Sequence, residues 1–441
     1  MKIAVVGAGV TGLGAAWQLS RKHDVTLYES HRKLGGHAHT VTVKRDGRDV
    51  PVDVGFIVYN EPNYPNLTHL FDALGVETEF SEMSFAFSGN GGDFEYSGSL
   101  AGLFAQKRNL LRPRLWVMLR DLLRFYREAP RFLDQPEPGM TLGGYLEANG
   151  YSRGFLYDHL LPMAAAIWSS PLEEILDFPA ESFMRFNDNH GLLQMNGRPE
   201  WRTVSGGSRN YVERMAEEIT RIRVATPVSG ISREKQGVTV FDAHGDSSQY
   251  DQVVFATHAD VTLSILGKEA TQEERAILGA FSYQRNFAVL HQDPRLMPKR
   301  KGVWSSWNYI SQSRDAADPV VSVTYWMNRL QNLDPEFPLF VSLNSLTPPA
   351  PDLTLRSFIY DHPQFDLAAL AAQRQLPTIQ GVADTWFCGS YCGYGFHEDG
   401  LQAGLAVAAA LGCPPPWADK IVPRSPAAEI AKSLQPAMAA E

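Results

Sequence analysis

Cysteine is nearly missing: Cys388, Cys392 and Cys413 are the three in 441 residues. So sparse and odd a set, without metal-like spacing, excludes a disulfide framework and a zinc module. It predicts reduced thiols, no bound metal and a cytoplasmic chain. Long apolar runs are missing too, and nothing approaches the ~20 residues that cross a bilayer. The N-terminus has one lysine, lacks a small-residue cleavage pattern and already reads as a strand, so it is not a signal peptide. Net positive charge is absent, the formal charge being −9, which argues against nucleic acid as a general partner. No segment repeats. What remains, 44% apolar and 20% charged, is ordinary for a globular enzyme long enough for two domains.

The informative stretch is the first. Ile3 to Val6 reads as a buried strand, Gly7-x-Gly9-x-x-Gly12 follows at once, and Ala15 to Leu19 continues as a helix. Gly7 makes the tight turn, Gly9 leaves room for a pyrophosphate, and Gly12 lets the helix lie close to the strand. The helix N-terminus offers free N–H groups to phosphate. Val25 to Tyr28 reads as a second strand, and Glu29 closes it about where an acid meets ribose hydroxyls. Strand, glycines, helix, strand and acid in register predict a dinucleotide fold.

Ser30-His-Arg-Lys33-Leu-Gly35-Gly36-His37 comes next. Here the chain resembles the FAD-dependent amine oxidase and phytoene desaturase superfamily, in which a basic residue and a second glycine pair pass the FAD diphosphate. The resemblance implies FAD, with Val10, Thr11, Ser30, Lys33, Gly35, Gly36 and His37 at the diphosphate. It implies that Asp53-x-Gly55-Phe56-Ile57 runs past the flavin ring, Gly55 sparing the ring a collision. Ala225-Thr-Pro-Val228 resembles the segment whose valine backbone pairs with adenine, and Val254-Phe-Ala256 the strand that ends near the cofactor. At the far end, Gly389-Ser390 and the helix after Gly393 imply a second helix N-terminus at the flavin, with Glu398, Asp399, Gly400, Leu401 and Ala403 in the site. Ser390 stands where the family often has an acid, which weakens that contact or routes it through water.

The expected fold is α/β: a Rossmann-like FAD-binding domain, of the two-dinucleotide-binding-domain flavoprotein type, with a discontinuous α+β substrate domain. Residues 1–76, 201–262 and 380–413 are assigned to the first, 77–200 and 263–379 to the second, and 414–441 to a peripheral tail. Between 109 and 128 a helical period places Leu115, Met118, Leu119, Leu122, Phe125 and Tyr126 on one face. Arg120, Arg124 and Arg127 fall opposite. They suit either a solvated face or a peripheral contact with anionic phospholipid. Tyr59 is a plausible cavity edge. Trp304, Trp307, Tyr309 and Tyr325 lie in two aromatic strands that could wall a substrate cavity or simply pack a sheet. His190 reads as a structural residue or a general base.

Asn189-His-Gly-Leu-Leu193, Arg198-Pro-x-Trp-Arg202-x-Val-x-Gly206-Gly-Ser208, Met297-Pro298 and Trp304-x-Ser-Trp-Asn-Tyr309 resemble the flavoproteins that accompany cyclopropane fatty acyl synthases, and the N-terminal flavin domain of their plant counterparts. That resemblance implies dehydrogenation or oxygenation of an unsaturated or branched fatty acyl chain, and a partner fatty acyl synthase. The residues themselves leave three functions open: acyl oxidation, oxidation of a small amine or amino acid, and a non-catalytic flavin domain beside a synthase. No catalytic base is identified.

Overall fold

The computed structural model describes residues 1–168, 172–194, 197–234, 237–311 and 321–421. Residues 169–171 and the expected tail beyond 421 lie outside the described residues. Strand β1 (Lys2–Val6) is central in a five-stranded sheet whose order is Thr385–Phe387, Gln252–Phe255, β1, β2 (Asp24–Tyr28) and Arg221–Arg223. Every pairing is parallel, with Val5 opposite both Leu27 and Val254. A parallel sheet is covered on both faces, so its strands are continuous apolar runs rather than alternating ones. Ile3, Ala4 and Val5 are fully buried accordingly. Helix α1 (Val10–Leu19) follows β1, and helix α2 (Pro65–Leu74) ends on left-handed Gly75. A three-stranded antiparallel sheet (Val228–Arg233, Val238–Asp242, Ser247–Tyr250) sits at the side. Its first strand begins at Val228, just after Ala225 takes a positive φ.

A second core surrounds a seven-stranded sheet, ordered Thr354–Pro363, Tyr283–His291, Phe340–Leu343, Val321–Trp326, Trp307–Ser311, Phe85–Gly89 and Phe94–Ser97. Its pairings are antiparallel except Trp307–Ser311 beside Phe85–Gly89. Short helix α3 (Leu100–Leu103) leads to α4 (Pro113–Asp134), whose Leu115, Met118 and Phe125 are buried as the period predicts. The helical stretch from Arg153 to Trp168 is interrupted by a π-turn at Leu156–Leu160, just before Pro162. The start of the expected tail is not peripheral. Trp417 is 4% exposed, stacks on Trp17 and donates to Asn66.

Candidate active site

One cavity of about 2070 Å³ is lined by both halves of the fold. Single drug-sized ligands occupy roughly 300–1,000 Å³, so there is room for a dinucleotide and a second long molecule. At one end lie Gly7, Gly9, Val10 and Thr11. Among the described residues, a Cβ on Gly9 would touch no atom within 4 Å and would project into open space. Helix α1 has no side-chain cap on its first turn, so its leading N–H groups remain for a ligand. Glu29 is buried beside them. Its Oε2 accepts from the Ala8 N–H and its Oε1 from the His31 N–H, both at 2.8 Å. Ser30, Lys33, Gly36, His37, Gly55, Phe56, Ile57, Val228, Ala256, Gly389 and Ser390 complete this end. Open space where a Cβ would intrude, an uncapped helix start and a buried acid fit a dinucleotide.

Seven residues expected at the cofactor do not line the cavity. Gly12 lies under the turn, where a Cβ would collide with the Gly7 carbonyl oxygen, and Gly35 pairs with Gly9 as a β-bridge. Glu398 turns away to accept from the Asn66 and Leu67 N–H groups at the start of α2. Burial pushes its carboxyl up to about 7. Asp399 accepts from the Tyr394 and Phe396 N–H groups and so fixes the preceding loop. Leu401 packs on Gly14, while Gly400 seats the C-terminal helix (His397–Ala410) on Thr11. Ala403 is buried within the same helix. Gly55 has another cause than the one expected: a Cβ there would strike the His37 carbonyl oxygen. Asp53 beside it accepts from Thr40 Oγ1 at 2.6 Å, Ser208 Oγ at 2.7 Å and Gln331 Nε2 at 3.0 Å. Burial pushes it up to about 6 against those bonds.

Beyond the cradle the wall turns apolar. Helix α4 contributes Met118, Leu119, Leu122 and Tyr126, the following helices Met163 and Ile167, and the sheet Phe85, Val341, Leu343 and Phe358. Of the aromatic strand residues, Trp307 and Tyr325 line it as an edge-to-face cross-strand pair 5.0 Å apart. Three expected substrate residues do not. Trp304 precedes the strand, donates to the Pro298 carbonyl and meets Trp326 and Phe340. Tyr309 is stacked on Phe87 inside the core. Tyr59 packs on Phe71 and donates to Thr78.

His190 lines the cavity. Its Nδ1 lies 2.9 Å from the Phe186 carbonyl, which can only accept, so the proton sits on Nδ1. Burial lowers it to about 4, so it takes up a proton poorly at neutral pH. Phe186 stacks on it and on Phe396, with Tyr64 edge-on. This cluster escaped sequence reading, since Tyr394 and Phe396 sit in a loop without periodicity. So did a second group, in which His37 lies within 6.4 Å of the rings of Tyr360, His362 and His258. These come from three distant segments, and burial lowers His37 first, neighbouring histidines next.

The family model described as flavin containing amine oxidoreductase matches residues 10–329. (S)-6-hydroxynicotine oxidase of Paenarthrobacter nicotinovorans is 26% identical over 292 residues, 62% of this chain and 63% of that protein. The chain thus spans less than two thirds of that relative's length. A 4,4'-diapophytoene desaturase of Staphylococcus aureus is 50% identical over 48 residues, 11% of this chain and 9% of the relative. Among solved structures, cyclohexylamine oxidase from Brevibacterium oxydans superposes with TM-score 0.67 at 17% identity, covering 93% of this chain and 99% of that one. A fatty acid isomerase from P. acnes gives 0.61 at 14%, covering 91% and 96%. At these identities the structural matches show the fold.

Proposed function

The chain belongs to the family of flavin containing amine oxidoreductases and is an FAD-dependent oxidoreductase; from that premise we propose that its substrate is an unsaturated or branched fatty acyl chain. The observation that carries this reading is the apolar wall from Tyr126 along α4 to Leu103, continuous with the glycine-rich cradle. An acyl chain has no polar handle, so its recognition is burial, at about 0.8 kcal/mol per methylene. Bound FAD supplies a hydride acceptor. The cradle residues Gly9, Val10, Thr11, Glu29 and Lys33 would hold it. The wall excludes water and orients the chain so that an allylic or tertiary C–H reaches the cofactor end.

Oxidation of a small amine is the second reading. Hydroxynicotine and cyclohexylamine oxidases are among the similar proteins, and the aromatic cluster around His190 would suit a neutral amine as well. Against it stands the charge inventory. Glu82, Glu200 and Asp361 on the wall each face an arginine, Arg329, Arg202 and Arg285. Lys33, at the cradle, is the one lysine among the described lining residues. Anaerobic titration separates the readings. Detergent-dispersed unsaturated or methyl-branched acyl chains should bleach the visible flavin band. Bleaching by amines alone would overturn the proposal, and bleaching by neither would leave the non-catalytic reading.

A further inference from the structure

Helix α4 is a wall with two faces. Its inner side lines the cavity, and its outer side is neither buried nor uniformly polar. Trp116, Arg120, Leu123, Arg127 and Arg131 are exposed and recur at intervals of three and four, one stripe along the helix. The stripe continues N-terminally into more bare apolar surface. Leu111 is 88% exposed, Leu100 80% and Trp116 49%, with Leu110 exposed beside them. They form one patch: the Trp116 indole donates to the Leu110 carbonyl and packs on Phe104, one residue past α3. Single exposed leucines are ordinary, but a cluster of them rimmed by polar residues marks a contact surface.

We propose that this outer face of α3 and α4 docks on an anionic phospholipid bilayer, with the leucines and Trp116 in the acyl boundary and the arginines at the headgroups. Two observations fix the partner. First, the patch is continuous with the cavity, because Leu100 both stands out in solvent and lines the cavity mouth with Leu103 behind it. A soluble protein partner gives no reason for bare leucine at a cavity rim; a chain passing from a bilayer does. Second, the flanking charge is basic on a chain of net charge −9. Lys107, Arg120, Arg127 and Arg131 are exposed at or beside the stripe, whereas Arg108 is held by Asp93. Arg124 is not part of this surface, being held by Glu128 and the Asn149 carbonyl and lying over Tyr151. Arg120 and Arg127 have carboxylate neighbours, Asp121 and Glu128, yet stay more than 60% exposed. The inference rests on the acyl reading for its purpose and on the surface for its evidence.

The test is flotation of the flavin-loaded protein with phosphatidylglycerol vesicles and with phosphatidylcholine vesicles. Wild type should bind the former and lose binding as salt rises, since headgroup attraction is screened beyond about 8 Å at 0.15 M. Leu110→Ser/Leu111→Ser/Trp116→Ser should weaken partitioning by about a hundredfold at any salt. Arg120→Gln/Arg127→Gln/Arg131→Gln should remove the preference for phosphatidylglycerol. All six positions are exposed, so flavin content and thermal unfolding should match wild type and report intact folding. Wild type that ignores phosphatidylglycerol, or a triple serine variant that binds equally, overturns the docking surface. Bleaching by detergent-dispersed acyl chains is read in parallel. Vesicle binding without such bleaching keeps the surface and fails the acyl substrate, whereas bleaching without vesicle binding does the reverse.

Discussion

Two glycines three residues apart do unlike work. A Cβ at Gly9 meets no atom of the described residues, whereas one at Gly12 collides with Gly7. Gly9→Val should therefore fold normally and purify colourless. Gly12→Ala should be destabilised by about 3 kcal/mol, the upper range for overpacking, whether or not flavin is present. Thermal unfolding and the visible spectrum of each variant check this; a yellow Gly9→Val would refute the placement of the cofactor cradle. Glu29 serves two masters in the same way. Its oxygens hold the Ala8 and His31 N–H groups, so Glu29→Ala should cost about 1–3 kcal/mol of apo stability. Where the acid also meets the ribose, FAD affinity should drop roughly ten- to a hundredfold. Loss of stability with unchanged affinity would make Glu29 a brace only. The turn was legible because its chemistry is local. Gly55 was legible as a required glycine but not in its cause, since the obstructing His37 carbonyl is brought there by the fold.

Elements were legible where periodicity is strong. The inner face of α4 could be read from spacing, and the order of segments located the cofactor end. Trp304 and Tyr309 could not be placed, because a strand's facing depends on where it starts, and this one starts at Trp307. The C-terminal helix was expected to bring Glu398 and Asp399 to the cofactor, and instead uses them to fasten α2 and its own preceding loop. Its close approach depends on Gly404, where a Cβ would collide with the Thr11 carbonyl oxygen on α1. Gly404→Ala should push the two helices apart, lower stability by about 1–3 kcal/mol and weaken flavin retention together. Normal retention in a destabilised variant would show that the crossing supports the fold without shaping the cradle.

At the scale of the molecule, burial of neutral imidazole sets the acid limit. Burial lowers His159, His190, His291 and His362 from 6.5 to about 4, and His397 to about 3. A depressed folded value means that the unfolded chain takes up more protons between about 6.5 and 4, so stability is lost as pH falls through that range. Asp53 and Glu398 work oppositely: raised to about 6 and 7, they hold protons better when folded and restore some stability on acidification. The histidines outnumber them. Flavin-free protein should be less stable at pH 5 than at pH 7 by roughly 5 kcal/mol, on the scale of a domain's whole stability. Urea unfolding at the two pH values measures it; equal midpoints would mean that these rings are hydrated.

The central strand precedes its neighbour Gln252–Phe255 by some 250 residues of chain, and the Gly389 turn and its helix come later still. Trp417, which stacks on Trp17, lies some 400 residues further along the chain than its partner. Contacts this distant in sequence close late, after much of the chain has been made. The glycine-rich turn therefore stands without its second wall until the Gly389 segment has been made.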